Sequence, residues 1–162
     1  PGCREGRYEA QAQVIDKNGT VERQWSQPID LRADSTMDVI GGLALPTDSA
    51  THFLRLRLTD EEGRTASDNT YLYNARGDDY KDLTSNAVDT KIEMTVEGNT
   101  VRLRNRADRP ALMVHLRLMD KDGKPVQATF SDNYFHLMPH EERTITCSAI
   151  SETAGCRVQI IN

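Results

Sequence analysis

Apolar and polar residues alternate along nearly every candidate strand of this chain, and this period of two is what most constrains its fold. The clearest example is residues 53–58, Phe-Leu-Arg-Leu-Arg-Leu, in which leucines and arginines lie on opposite faces of an extended strand. Residues 111–119 alternate in the same way, with Val114, Leu116 and Leu118 on one face. The pattern predicts an all-β protein whose sheets each bury one face.

The phase of the alternation also predicts which side chains are buried. Residues on the apolar face of a strand are expected in a core, and those on the polar face are expected to meet solvent. The predicted core includes Leu56, Leu58, Leu116, Leu118, Val158 and Ile160. The predicted exposed residues are Arg55, Arg57 and Arg117.

Three Asp-x-x-Gly segments separate predicted strands and favour tight hairpin turns. They begin at Asp16, Asp60 and Asp120. A calcium loop would need more oxygen ligands and a distal bidentate glutamate, and no glutamate has that spacing here. Short strands separated by turns about every 8–12 residues are typical of a β-sandwich.

Composition and charge exclude some classes of partner. The 162 residues carry a net charge of −5, which argues against nucleic acid because phosphate binding needs a basic surface. No apolar run reaches the length of about 18 residues that a membrane-spanning helix needs. The first residues, Pro-Gly-Cys-Arg-Glu-Gly, have neither an initiator methionine nor the apolar core of a signal peptide, so we expect a piece of a longer chain.

No motif of catalysis or of metal and cofactor binding stands out in the sequence. The four histidines do not have the His-Glu-x-x-His spacing, and neither a nucleophile elbow nor a phosphate loop is present. Of the three cysteines, Cys147 and Cys156 share an inward phase, which fits either two buried free thiols or a disulfide. We therefore expect no catalytic, cofactor-binding or metal-binding residue.

A segment rich in turn-forming residues, Phe-Ser-Asp-Asn-Tyr-Phe at 130–135, predicts a corner between strands. The Asp132 or Asn133 side chain is expected to bond backbone groups nearby or on an adjacent strand, so we expect a structural role for the Ser131–Asn133 triplet. Tyr134 and Phe135 follow it and should point to opposite faces. The same triplet recurs as Ser67, Asp68 and Asn69, which predicts a second corner.

These motifs carry a family resemblance. Residues 130–139, followed by Glu141, resemble the C-terminal immunoglobulin-like domain of family 2 exo-β-glycosidases, in particular β-mannosidases and exo-β-glucosaminidases. Residues 116–123 are similar to the same domain, and residues 8–73 resemble the immunoglobulin-like domain that precedes it. At His140 the family usually has glycine, so we expect this turn to do without a left-handed residue.

The expected architecture is two immunoglobulin-like β-sandwiches in tandem. Residues 1–74 have about five predicted strands, fewer than the seven or so of a full sandwich, so this domain is expected to lack its N-terminal strands. Residues 75–89 are polar and are predicted to form a linker, and residues 90–162 form the complete C-terminal sandwich.

The resemblance also implies a function. The catalytic glutamates of the family reside in a (β/α)₈ barrel that is absent from this sequence, so none can be assigned here. The chain is then a non-catalytic accessory region whose partner is the barrel of its parent chain, and the family implies a periplasmic or secreted location. The alternatives are a carbohydrate-binding module and a cell-surface adhesion module. A sugar-binding platform would require exposed, contiguous aromatics among Trp25, Tyr71, Tyr73, Tyr80 and Tyr134.

Overall fold

The computed structural model describes residues 4–33, 35–77, 80–86, 91–148 and 157–161. The chain forms two compact units, Pro1–Thr84 and Ser85–Asn162. Within the described ranges, regular structure is antiparallel β-sheet apart from one short 3-10 helix, Lys81–Asn86. The prediction of an all-β protein is confirmed.

The N-terminal unit contains a single four-stranded antiparallel sheet in its described part, with strand order β2-β1-β3-β4. Its strands are β1 (Gly6–Asp16), β2 (Val21–Leu31), β3 (His52–Asp60) and β4 (Thr65–Tyr73). Register places Leu56 opposite Ala12, and Arg55 opposite Gln13. Leucines and arginines of β3 therefore lie on opposite faces of this sheet, as the alternation predicts.

The C-terminal unit is built from two sheets. Its strands are β5 (Ile92–Glu97), β6 (Thr100–Asn105), β7 (Ala111–Met119), β8 (Pro125–Val126), β9 (Phe135–Leu137), β10 (Glu142–Thr146) and β11 (Arg157–Ile161). One sheet has the order β10-β6-β5 and the other the order β11-β7-β8, with β9 also paired to β7. Both sheets contribute to one core, whose fully buried members include Val101, Leu103, Ile145, Val114, Leu116 and Leu118.

Three of the hairpins close on the predicted Asp-x-x-Gly turns. In the first, Asp16 Oδ1 accepts hydrogen bonds from the amides of Asn18 at 2.9 Å and Thr20 at 2.7 Å. The carboxylates of Asp60 and Asp120 accept equivalent bonds from amides two and four residues further on. Each aspartate thus satisfies the backbone donors of its own turn, which explains its place in the sequence.

The burial prediction is confirmed for Leu116, Leu118, Val158 and Arg117 in the C-terminal unit. It is wrong in the N-terminal unit, where Leu58, predicted to be buried, and Arg57, predicted to be exposed, are both half-buried. Leu116 is 1% exposed and Arg117 is exposed, as predicted, although Ile160 is only half-buried. In β3, by contrast, Leu56 is 38% exposed and Arg55 only 8%. The faces were assigned correctly, but no second sheet covers the leucine face among the described residues. Val39, Ile40 and Leu43 instead border a largely apolar cleft of about 380 Å³ on that face.

Part of the segment predicted as a linker packs on the N-terminal unit. Leu83 of the 3-10 helix is buried, and Asp82 Oδ2 accepts a hydrogen bond from the Thr51 amide at 3.0 Å. The Thr51 hydroxyl donates to the other carboxylate oxygen. Burial alone would raise the pKa of Asp82, but the two Thr51 donors lower it below its ordinary value. Residues 87–90, in the same predicted linker, lie outside the described ranges.

Cys147 is fully buried. Cys156 and Cys3 lie outside the described residues, so the choice between two free thiols and a disulfide stays open.

Candidate functional site

The Ser-Asp-Asn corner of the C-terminal unit joins its two sheets. Asn133 Oδ1 accepts a hydrogen bond from the Leu116 amide at 2.7 Å, and Asn133 Nδ2 donates to the Leu116 carbonyl at 3.0 Å. The side-chain amide thereby satisfies both backbone groups of a residue in β7. Ser131 faces the other sheet, where its hydroxyl accepts from the Thr146 amide at 3.0 Å and its own amide donates to the Thr146 carbonyl at 2.9 Å.

Asp132 makes different contacts from its two neighbours. One carboxylate oxygen accepts from the Asn133 amide at 2.8 Å, and the other accepts from Arg143 Nη1 at 2.8 Å. The Arg143 guanidinium carbon in turn lies 4.6 Å from the centre of the Phe135 ring. The polar side chains of the corner are thus directed at main chain and at the neighbouring strand β10. That the corner is structural rather than ligand-binding stays a prediction.

Replacing Asn133 with alanine is expected to lower the free energy of unfolding of the C-terminal unit by about 1–3 kcal/mol, because two backbone groups of Leu116 lose their partners. Asp132→Ala, which removes a half-exposed carboxylate, is the matched control and should cost about 1 kcal/mol or less. Chemical denaturation of both variants measures the difference. A normal melting temperature combined with lost affinity for an oligosaccharide would instead identify the corner as a binding site.

The two aromatics that follow the corner point to opposite faces, as predicted. Phe135 is buried in the core, whereas Tyr134 is 57% exposed. The Tyr134 ring stacks on His115 of β7, with ring centres 4.2 Å apart and an interplanar angle of 23°. Tyr134 has a φ of 59°, a left-handed conformation that a tyrosine rarely adopts.

The second triplet does not form a corner, contrary to prediction. Ser67, Asp68 and Asn69 lie inside β4, where Asp68 pairs in register with Arg57. The Asp68 carboxylate accepts two hydrogen bonds from Arg55, at 2.8 and 2.6 Å, and two from Arg57. Burial would raise the pKa of Asp68, but both guanidinium groups lower it below its ordinary value. This pairing explains why Arg55 is buried.

Two histidines belong to the segment that ends in the Met138–Glu141 turn: His136 lies in β9, before the turn, and His140 lies in the turn itself. His136 is buried, and its Nδ1 lies 3.4 Å from the Met113 amide nitrogen, which donates to it. Burial and the nearby charge of Arg143 lower the pKa of His136 to about 4. His140 has a φ of 59°, so the expectation that this turn lacks a left-handed residue was wrong. The Glu141 amide donates to the Met138 carbonyl, and His140 takes the third position of this turn, where a type II turn has a positive φ.

Asn105 is a residue of this region that sequence reasoning missed. It is fully buried, and its side-chain nitrogen donates to the carbonyls of Arg109, Leu137 and Met138 at 2.7, 3.0 and 3.2 Å. These bonds connect the end of β6 with the end of β9. The available signal was a polar residue in the inward phase of Val101 and Leu103. Such a residue in a core must find partners.

The described ranges contain no group of three or more histidine, cysteine, aspartate or glutamate side chains arranged to hold a metal ion. No helix within them is long and apolar enough to cross a membrane. Of the five candidate platform aromatics, Tyr71 and Tyr134 are exposed, and they belong to different units. Trp25, Tyr73 and Tyr80 are half-buried.

Residues 69–161, which include the corner and both sheets of the C-terminal unit, match the family described as the exo-β-D-glucosaminidase Ig-fold domain. The chain belongs to this family. The resemblance to the immunoglobulin-like domains of family 2 exo-β-glycosidases, predicted from the corner motif, is thereby confirmed.

Two curated relatives of this Ig-fold chain are exo-β-D-glucosaminidases. The enzyme of Arthroderma benhamiae is 31% identical over 68% of the chain and 16% of the relative. That of Hypocrea jecorina is 28% identical over 96% of the chain and 21% of the relative. The chain therefore spans about a fifth of the length of the relatives that it matches.

Solved structures share the fold. The exo-chitosanase of Amycolatopsis orientalis superimposes with a TM-score of 0.62 at 22% identity, over 97% of this chain and 22% of that one. A β-D-mannosidase from Dictyoglomus thermophilum gives a TM-score of 0.55 at 15% identity, over 98% of this chain and 19% of that one.

Proposed function

We propose that this chain is a non-catalytic accessory region of an exo-β-glycosidase of the β-mannosidase and exo-β-glucosaminidase type. Its two units are two immunoglobulin-like domains in tandem, the first incomplete, and their work is to scaffold a catalytic barrel elsewhere in the parent chain. The family match over residues 69–161 is the observation that carries this proposal.

The chemistry of the corner supports an accessory role. An active site needs acid, base or nucleophilic groups that face a substrate, and a retaining or inverting glycosidase needs two such carboxyl groups. Here Asn133 binds main chain and Asp132 is paired with Arg143. Asp68, the carboxylate of the other triplet, is held between two arginines. These polar side chains therefore bond groups within their own unit.

A stand-alone sugar-binding role has less support. Carbohydrate platforms use aromatic rings that are exposed and contiguous. Within the described residues, each unit by itself exposes only one of the candidate aromatics, and Tyr134 already has one ring face covered by His115.

The purified chain is expected not to hydrolyse aryl β-glucosaminides or aryl β-mannosides, because the proposal places both catalytic carboxylates in another part of the parent. Release of the aryl alcohol is followed by absorbance against a buffer blank, with the full-length parent as the positive control. Turnover that increases in proportion to the purified chain would contradict the proposal.

A further inference from the structure

The outer faces of the two sheets in the C-terminal unit differ in charge pattern. On the β10-β6-β5 sheet, outward arginines meet carboxylates of neighbouring strands. Arg104 pairs with Glu142 at 3.0 Å, and Arg106, just beyond β6, pairs with Glu93 at 2.6 Å. A face on which both signs alternate and neutralise each other is well solvated, as a permanent solvent surface should be.

The outer face of β7 and β11 has the opposite character. Register and alternation place on it Met113, His115, Arg117, Met119, Arg157 and Gln159. This set contains no carboxylate, in a chain with 25 aspartate and glutamate residues against 20 lysines and arginines. Among the described residues, neither Arg117 nor Arg157 forms an ion pair. As far as the described residues define it, this face is cationic and its arginines form no ion pair, on a protein whose net charge is −5.

Tyr134 stands at one end of this face. Its ring rests on His115, and the preceding residue, Asn133, is bonded to the backbone of β7, so the exposed ring is held in one orientation. Met113, two residues before His115, is 52% exposed with a φ of 48°. Left-handed conformations at both exposed residues cost folding energy, and such strain is concentrated at functional surfaces.

We propose that this surface, formed by Met113, His115, Arg117, Tyr134 and Arg157, docks on the catalytic part of the same longer polypeptide. The inference rests on the proposed function and adds the surface that performs it. Tyrosine, methionine and arginine are enriched at the centres of protein interfaces, where aspartate and glutamate are depleted. The preoriented Tyr134 ring is the anchor that fills a pocket of the partner.

The positive charge of the proposed surface determines which charge its partner surface should carry. Arg117 and Arg157 gain most from a surface that carries carboxylates, and such pairs set the orientation of docking. A cationic amino sugar would meet like charge on this face. The chain spans about a fifth of its relatives, so most of a longer polypeptide is available as the occupant.

Hydroxyl-radical footprinting tests the surface in the full-length protein against the isolated 162-residue chain. Oxidation of Tyr134 and Met113 is expected to fall at least about fivefold in the full-length protein, as burial at the centre of an interface requires. His140, whose side chain is 60% exposed and lies outside the proposed surface, is the internal control and should be oxidised equally in both.

A pair of charge reversals adds a test by substitution. Arg117→Glu is expected to lower the melting temperature of the full-length protein by several degrees and that of the isolated chain much less, because the lost contacts are with the partner. Arg102→Glu, on the ion-paired face, is the matched control and should act equally in both.

The results of these experiments distinguish a wrong docking surface from a wrong accessory role. A full-length protein without a glycosidase barrel overturns both. A barrel-containing protein in which Tyr134 is oxidised as in the isolated chain, and in which Arg117→Glu acts equally in both contexts, overturns the docking surface and leaves the accessory role intact.

Discussion

Replacing Leu116 with alanine is expected to lower the free energy of unfolding of the C-terminal unit by about 2–5 kcal/mol. The leucine is 1% exposed and packs in the core between the two sheets, so its removal leaves a cavity that the rigid strands cannot close. Denaturant unfolding, with hydrogen exchange of the β6 and β10 amides as a local probe, measures the loss.

The internal sequence repeat supplies a matched control for this experiment. Residues 54–64 align with 114–124, and Leu56 then takes the position of Leu116. Because Leu56 is 38% exposed, Leu56→Ala should cost about 1 kcal/mol or less. Equal losses for the two leucines would show that the leucine face of the N-terminal unit is covered in solution.

Acidification is expected to destabilise the C-terminal unit through His136. The folded protein holds the pKa of this histidine at about 4, against 6.5 for the ordinary side chain, so the unfolded chain binds more protons between these values. The stabilising contribution of neutral His136 is therefore complete above about pH 6.5 and is lost as the pH falls toward 4. The loss over this window is about 3 kcal/mol.

Unfolding free energies measured from pH 7 to pH 4 test this dependence. His136→Gln removes the titrating group and should flatten the profile between pH 6.5 and 4. His140→Gln, which changes an exposed side chain, should leave the slope of the profile near that of the unsubstituted chain. A slope that persists in His136→Gln would assign the acid sensitivity to carboxylates.

Patterns that depend on neighbouring residues in the chain were predicted correctly. The alternation in β3 and β7 assigned leucines and arginines to opposite faces, and the Asp-x-x-Gly turns formed the hairpins expected of them. The turn of residues 131–133, followed by one buried and one exposed aromatic, also agrees with the sequence. Each of these features depends on backbone geometry over a few residues, which local side chains control.

Predictions that depended on distant partners failed. The Ser67–Asn69 triplet has the same composition as the corner, but Arg55 and Arg57 on the adjacent strand hold Asp68 within β4. The turn at His140 is a local exception: it closes within Met138–Glu141, and its left-handed residue was wrongly excluded because the position is not glycine. Asn105 was missed because its three carbonyl partners belong to residues 109, 137 and 138.

The sequence by itself determined the all-β class, the strand phase and the family, because alternation and a turn motif are written in consecutive residues. Only the tertiary structure decided which faces are buried. Leu56 and Leu116 occupy the same place in the same alternating pattern. Burial, however, depends on what packs on the strand. Among the described residues, a second sheet covers Leu116 and none covers Leu56.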